Sequence, residues 1–440
     1  MTDFDVIVIG SGPGGYETAS AAAARGWRTM IVERDLLGGT CLNRGCIPTK
    51  ALCRSAELAL DMRRSAELGV LVDDVTLDYA RAAARKDSVV ASLREGVALE
   101  LRDVAVVYGE ARFVAPRVIE VNGEEYSAPR IIVATGSRPA TLDVPGAELA
   151  VNSDFLLAAT ELPESAVIIG GGVIGIEFAS IFNAFGVKVT VLEYCKEILP
   201  GMDAEIAKRL RMALKRRGIT IVTSAQVTGI RPGLTVEYSE RGKIKSVDSS
   251  QAVMAVGRRP VIPAGLTEQG AALDRGFLAV DSRMATTVPG VYAVGDVNGL
   301  CLLAHAASAQ GRVALGLSDS VGPIPSAVFS HPECASVGET EQSCRDAGRK
   351  IMVGTATYRS NGKAMAIDEP DGMVKIVADA ADRKIIGCQI TGAHAADIVQ
   401  EVTVAIAAEM TVDSLSEVIH IHPTLSELVV RALGAMRETE

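Results

Sequence analysis

The stretch DVIVIGSGPGGYETASAAAARGWRTMIVE, from Asp5 to Glu33, decides the fold. An apolar β-branched run, a glycine-rich turn, a helix of small residues, a second apolar run and a closing glutamate follow in turn, the order of a βαβ nucleotide-binding half. Gly10, Gly12 and Gly15 make GxGxxG directly after the first run. That spacing permits a tight turn and lets the backbone approach a diphosphate at a helix N-terminus. A bare GxGxxG is weak evidence, because glycines also serve turns. Here strand, helix and terminal acid stand in register, with Glu33 placed for a ribose hydroxyl. Ala166 to Glu193, AVIIGGGVIGIEFASIFNAFGVKVTVLE, repeats the arrangement with Gly170, Gly172 and Gly175. Two dinucleotides are therefore implied. Glu193 suits the ribose hydroxyls of NAD and would repel the 2′-phosphate of NADP, and no arginine follows it immediately, so NAD is the expected second nucleotide.

Around these landmarks, Leu58 to Leu101 reads as helix, and RIIVAT, Arg130 to Thr135, reads as a strand returning to the first sheet. AVMAVG, Ala252 to Gly257, closes the second unit before Arg258, Arg259 and Pro260 break the pattern. Beyond the Pro-rich GPIPSAVFSHP come short β-type runs, MVKIV and IIGCQI, and then helix, the signature of a separate α+β domain. The expected fold class is α/β: two Rossmann-like domains and a C-terminal α+β domain. The expected division is a first nucleotide domain over 1–145, a second over 146–258, a segment completing the first over 259–322, and an interface domain over 323–440.

Composition narrows the function. With 440 residues, 48% hydrophobic and 22% charged, the chain can bury several cores. A net charge of -10 without a Lys/Arg stripe argues against nucleic acid and anionic membrane as partners. The N-terminus reads as a buried strand rather than a signal peptide, and Arg25 interrupts the small-residue run Ala19 to Ala24, far short of the roughly 20 residues a membrane span needs. A cytoplasmic protein is expected. There the eight cysteines should be mostly reduced, and any disulfide should be catalytic.

The segment GGTCLNRGCIPTK, 38–50, supplies Cys41 and Cys46 just after the first βαβ unit. If it is helical, the thiols lie little more than one turn apart, close enough for a redox disulfide. Two unconnected thiols near a turn is the plain alternative; zinc is poorer, since the spacing is not CxxC and no second ligand pair follows, so no metal site is expected. Lys50, one turn beyond Cys46, and Glu177, inside the second nucleotide helix, are ordinary solvated charges taken singly and a buried pair taken together. Near the C-terminus, HIHPTLSELVVRAL sets His422 five residues before Glu427, which suits an imidazole held by a carboxylate as general base; His420 is equally eligible on chemistry alone.

GSGPGG, GGTCLNRGCIPTK, ATGSRP, GGGVIGIE, VGRRP, VYAVGDV with LLAHAA, HPECASVGETE and HIHPTLSE occur in this order across nearly the whole chain. By them the sequence resembles the pyridine nucleotide-disulfide oxidoreductases, and among these the dihydrolipoamide dehydrogenases. The resemblance implies FAD, with its diphosphate and ribose held by Gly10, Gly12, Pro13, Gly14, Gly15 and Glu33. Further FAD contacts would come from Gly39, Thr40, Cys41 and Lys50, from the Ala111 backbone, and from Thr135, Gly136 and Ser137. Gly295, Asp296, Leu302, Leu303, Ala304 and His305 would complete them, Asp296 accepting a ribityl hydroxyl. NAD would meet Gly170, Gly172, Val173, Ile174, Gly175 and Glu177, then Glu193, Val227 and Gly257.

The resemblance also makes His422 the base with Glu427 its partner, Cys41 the sulfur attacked by a dihydrolipoyl thiolate and Cys46 the sulfur beside the flavin. It implies a homodimer whose active sites combine His422 and Glu427 of one chain with the cysteines of the other, serving dihydrolipoyl groups on acyltransferase or glycine-cleavage carrier proteins. Three positions depart from the pattern: Arg44 stands where many relatives carry an apolar residue, Val261 where Asn is common, and Cys53 is an additional thiol. A mercuric reductase would need a C-terminal cysteine pair, and no cysteine follows Cys388. A glutathione reductase would want a basic residue where Glu193 stands. A reductase of another small disulfide or quinone, or a non-catalytic nucleotide-binding scaffold, are the other readings.

Overall fold

A computed structural model describes residues 2–439. The strand Val6–Ile9 is buried along its whole length and leads through the glycine turn into helix α1, Pro13–Ala23, then the buried strand Thr29–Glu33. Pro13 stands in the first turn of α1, where a missing N–H costs nothing. Ala19 and Ala22 bury against the sheet and present no bulk, so the helix can lie close. These strands belong to a five-stranded parallel sheet in the order Val291–Ala293, Arg130–Val133, Val6–Ile9, Thr29–Glu33, Ala105–Tyr108. The strand Val291–Ala293 thus returns to the first sheet from beyond the second unit.

Four helices shape the space between the two nucleotide units. Helices α2, Gly39–Arg44, and α3, Cys46–Arg64, follow the first unit, and α4, Tyr79–Glu100, runs back along α3. The expected continuous helix from Leu58 to Leu101 is corrected here. It breaks where Gly69 takes a left-handed φ of 82°, and it restarts at Tyr79, capped by the Asp78 carboxylate on the Arg81 N–H at 3.0 Å. Helix α5, Val173–Ala184, packs on α3 and carries Glu177 toward Lys50. It follows the strand Ser165–Ile169 in a second parallel sheet, ordered Thr220–Thr223, Lys188–Glu193, Ser165–Ile169, Gln251–Met254. Near-continuous Val and Ile in these central strands fit a sheet covered on both faces.

The C-terminal part is a six-stranded sheet containing Met373–Asp379 and Ile385–Thr391 at its centre, with the helices Ala395–Ala407 and Glu427–Gly434 packed on it. Its core closes around the fully buried Tyr358, whose hydroxyl donates to the Ala393 carbonyl at 2.9 Å. Among the described residues no helix is long and apolar enough to cross a membrane.

Candidate active site

The two glycine turns are built alike, to atomic tolerances that admit no side chain. Gly10 has φ 99°, and a Cβ on Gly15 would stand 1.9 Å from the Gly10 carbonyl oxygen; a Cβ on Gly175 would stand 2.0 Å from that of Gly170, whose φ is 110°. Gly12 and Gly172, by contrast, face open space, with nothing within 4 Å of an added Cβ. Gly39 presses on the first turn so closely that its Cβ would lie 2.6 Å from the Gly12 Cα. Each turn is fastened by its terminal acid. Glu33 accepts from the Ser11 N–H at 2.9 Å and Ser11 Oγ at 2.6 Å, and Glu193 from the Gly171 N–H at 2.5 Å and the Cys195 N–H at 2.6 Å. A carboxylate has about four acceptor sites, so both acids keep lone pairs for a ribose hydroxyl.

A cavity of about 980 Å³ opens in front of the first turn and reaches the second. It is lined by Gly10, Gly12, Pro13, Gly14, Glu33, Gly39, Thr40, Cys41 and Lys50, and on the facing wall by Ala111, Thr135, Gly136, Ser137, Gly295 and Asp296. Leu302, Leu303, Ala304 and His305 complete it from the start of the helix Ala304–Ala314. Of the residues expected at the second nucleotide, Gly172, Val173, Ile174, Glu177 and Gly257 line this cavity, while Gly170, Gly175, Glu193 and Val227 lie outside it, as does Gly15 of the first set. A glycine cradle, carboxylates at Glu33 and Asp296, and a volume near the upper end for ligand pockets fit a dinucleotide with an extended ring.

The thiols sit where α2 stops. A Cβ on Gly45 would lie 3.0 Å from the Thr40 carbonyl oxygen and 3.3 Å from the Cys41 Cα, so the chain turns sharply there and starts α3 at Cys46. The helical reading of this segment is thereby corrected to two helices broken at Gly45. Both cysteines are described as thiols, and they are electrostatically unequal. Cys46 is lowered to about 7, first by the hydrogen bond from Cys41 and, against the cost of burial, by the Lys50 cation. Cys41 is pushed up by the same hydrogen bond and by burial. Lys50 Nζ bonds both oxygens of Glu177, at 2.9 and 3.0 Å. Burial pulls the ammonium down, but the charge of Glu177 more than offsets it and holds Lys50 protonated.

Phe329, which the sequence reading passed over, completes this cluster. Its N–H donates to Glu177 Oε1 at 3.0 Å and its ring lies 4.5 Å from Lys50 Nζ. Arg258, part of the VGRRP motif, has a contact that the sequence does not foretell. It donates to Ser137 Oγ at 2.6 Å and to the Ser137 carbonyl at 2.8 Å, and Ser137 in turn hydrogen-bonds Asp296, fixing that carboxylate at the cavity wall. The repeated basic residues of VGRRP were the available signal. Cys53 is buried, its sulfur 3.3 Å from the Phe329 carbonyl oxygen and its thiol pushed up by burial, which makes it a packing residue.

His422 and Glu427 meet, Nδ1 to Oε1 at 2.9 Å, and the other Glu427 oxygen takes the Thr424 N–H at 2.9 Å. The imidazole holds Glu427 below the usual carboxylate range. This pair is not in the cavity of its own chain: the His422 side chain is 75% exposed, beside Ile419 and Ile421, exposed at 96% and 79%. Its Nε2 has no protein partner among the described residues. His420 is the opposite case, 9% exposed, with Nε2 2.6 Å from Glu401 and Nδ1 2.9 Å from the Val418 carbonyl oxygen. Both its nitrogens are engaged, so it is a structural histidine.

Comparison with known proteins adds an independent line. The family profile described as pyridine nucleotide-disulphide oxidoreductase matches residues 4–311, and that of its dimerisation domain matches residues 324–433. Dihydrolipoyl dehydrogenase of Geobacillus stearothermophilus is 39% identical over 97% of this chain and 95% of that protein. The dihydrolipoyl dehydrogenase of Thermus scotoductus is also 39% identical, over 100% of this chain and 98% of its own length. Among solved structures, the HOCl-induced flavoprotein disulfide reductase RclA of Escherichia coli superposes with a TM-score of 0.86 at 29% identity, covering 98% of this chain and 99% of that one.

Proposed function

The chain belongs to the pyridine nucleotide-disulphide oxidoreductases, and from that membership we propose that it is a homodimeric dihydrolipoyl dehydrogenase, oxidising dihydrolipoyl groups on carrier proteins and reducing NAD+ to NADH. The observation that carries the reading is the thiol pair in the cavity wall: Cys41 and Cys46 stand together there, with the Lys50 cation, locked by Glu177, favouring the Cys46 thiolate. Full-length identity of 39% to dihydrolipoyl dehydrogenases supports the substrate class. Reversible thiol chemistry suits a reducing compartment, and the cytoplasm is the proposed location.

The residues divide the work. His422 of the partner subunit, with Nε2 free and Nδ1 held by its glutamate, takes the proton of one dihydrolipoyl thiol. The resulting thiolate attacks Cys41 Sγ in the oxidised Cys41–Cys46 pair, so the protein disulfide breaks and Cys46 leaves as thiolate, facing Lys50. The second substrate thiol then displaces Cys41, releasing the cyclic lipoyl disulfide and a reduced protein pair. FAD held by the first glycine turn, Glu33 and Asp296 would supply a two-electron acceptor for the protein thiols and a hydride donor for NAD+. Lys50, locked by Glu177 and packed on Phe329, keeps a fixed positive charge beside the thiol throughout.

Steady-state rates with dihydrolipoamide, glutathione and mercuric ion, each with NAD(H) and NADP(H), test the proposal. Dihydrolipoamide with NAD+ should be the fastest combination. Equal or faster turnover of another disulfide or of the metal ion would replace dihydrolipoyl groups as the substrate.

Nucleotide choice rests on Glu193, whose carboxylate is held at the second turn by two N–H groups. Glu193→Ala should lower the NAD-over-NADP ratio of kcat/KM by about tenfold or more, roughly 1.4 kcal/mol, because a ribose contact and a repulsion are removed together. A wild type that already prefers NADP+ would refute that assignment.

A further inference from the structure

We infer that Arg44 and Asp35 form an ionic strap on the rim of the large cavity, tying the end of α2 to the turn after Glu33 and so holding bound FAD in place. This inference rests on the FAD site proposed above. Arg44 lies between the two redox cysteines in sequence, yet the cation acting on Cys46 is Lys50, and the Arg44 guanidinium turns instead to the Asp35 carboxylate and pairs with it. Both residues line the cavity, and their side chains are 46% and 47% exposed, which places the pair on the rim where the cavity meets solvent.

The two partners come from two neighbouring segments of the same wall, the turn after Glu33 and the end of α2. Asp35 lies two residues beyond Glu33, and its N–H is held by Glu33 Oε1 at 2.8 Å, so it is fixed to the carboxylate assigned to the first ribose. Arg44 ends α2, the helix that carries Cys41. Asn43, the residue before Arg44, ties this end of α2 back to its start: its Nδ2 donates to the carbonyls of Leu37 and Gly39, each at 2.9 Å, and its Oδ1 accepts from Arg94 Nε at 3.0 Å. The Arg44–Asp35 pair then joins the same end of α2 to the turn after Glu33. On the other side of the same turn, Arg34 approaches Glu110 at 3.6 Å, and both of these also line the cavity. The turn 33–36 is thus tied on both flanks, and an apolar residue at 44 could not make the tie to α2.

A rim pair acts through charge and is screened by salt, whereas a packing role is not. The test is the rate at which the purified holoenzyme loses FAD, read as recovery of free-flavin fluorescence on dilution. Arg44→Val and Asp35→Asn should each release FAD about two- to fivefold faster at low ionic strength, the scale of an exposed ion pair. Raising the ionic strength from about 10 mM to about 1 M shortens the screening length from ~30 Å to ~3 Å and should speed release from the wild type but not from Arg44→Val. The charge reversal Arg44→Asp with Asp35→Arg should restore slow, salt-sensitive release. Wild-type release rates in the single variants, or faster release from variants of a salt-insensitive wild type, would overturn the strap and leave the proposed function standing. A wild type that purifies without flavin would refute the function itself, and the strap with it.

Discussion

Cys46→Ser should lower dihydrolipoamide turnover by at least about three orders of magnitude, the scale expected when a covalent reaction loses its sulfur. Cys41→Ser should do the same, since neither serine can take part in the disulfide. Flavin content should survive both changes, because the glycine turns, Glu33 and Asp296 hold their places without either sulfur. The pair can also be read by pH. In the reduced wild type the Cys46 thiolate forms as pH rises through about 7, so alkylation at Cys46 should be slow below that value and fast above it. Lys50→Met removes a cation that lowers Cys46 and should move the midpoint up. A midpoint that stays near the ordinary thiol value in the wild type, or moves down in Lys50→Met, would remove the electrostatic basis of the mechanism.

His422→Ala should cost about 10²- to 10⁴-fold in dihydrolipoamide oxidation, the range for loss of a general base. Glu427→Gln should cost less, because the amide still occupies the position that orients Nδ1 while losing the charge that stabilises the imidazolium. The check is kcat measured across pH with substrate saturating. A His422→Ala enzyme within a factor of about three of wild type would move the base elsewhere, and His420, enclosed by Glu401 and Val418, offers no free nitrogen to replace it.

Much of this site was legible from residue order because the constraints are local. A GxGxxG turn with an acid about twenty residues on has few stable conformations, and Gly10 and Gly15 are glycines because carbonyl oxygens occupy the space of their Cβ atoms. The two halves of the nucleotide fold, the return of Arg130–Val133 to the first sheet and the C-terminal strands could be read from periodicity alone. What escaped depends on contacts between distant segments. Phe329 meets Glu177 and Lys50 only because α3 packs on α5, and Arg258 reaches Ser137 through a short strand pairing of 258–260 with 137–139. The break at Gly45 was hidden by a helical pattern on both sides. The break between Arg64 and Tyr79 was hidden by Ala, Leu and Glu around it, and only Gly69 and Asp78 mark it.

We propose that one chain's thiols and the other chain's histidine make a single active site. Cys41 and Cys46 line the cavity, whereas His422 and Glu427 project from the part of the chain that the dimerisation-domain family matches, beside exposed isoleucines. In a two-fold dimer each site then needs groups from both chains. The direct measurement mixes Cys46→Ser with His422→Ala, each inactive alone, under conditions that exchange subunits, and follows NADH formation from dihydrolipoamide. Each heterodimer should regain one site with both cysteines and a base, restoring up to about half of wild-type activity per heterodimer. Demonstrated exchange with no recovery of activity would show that His422 does not serve the partner's cysteines.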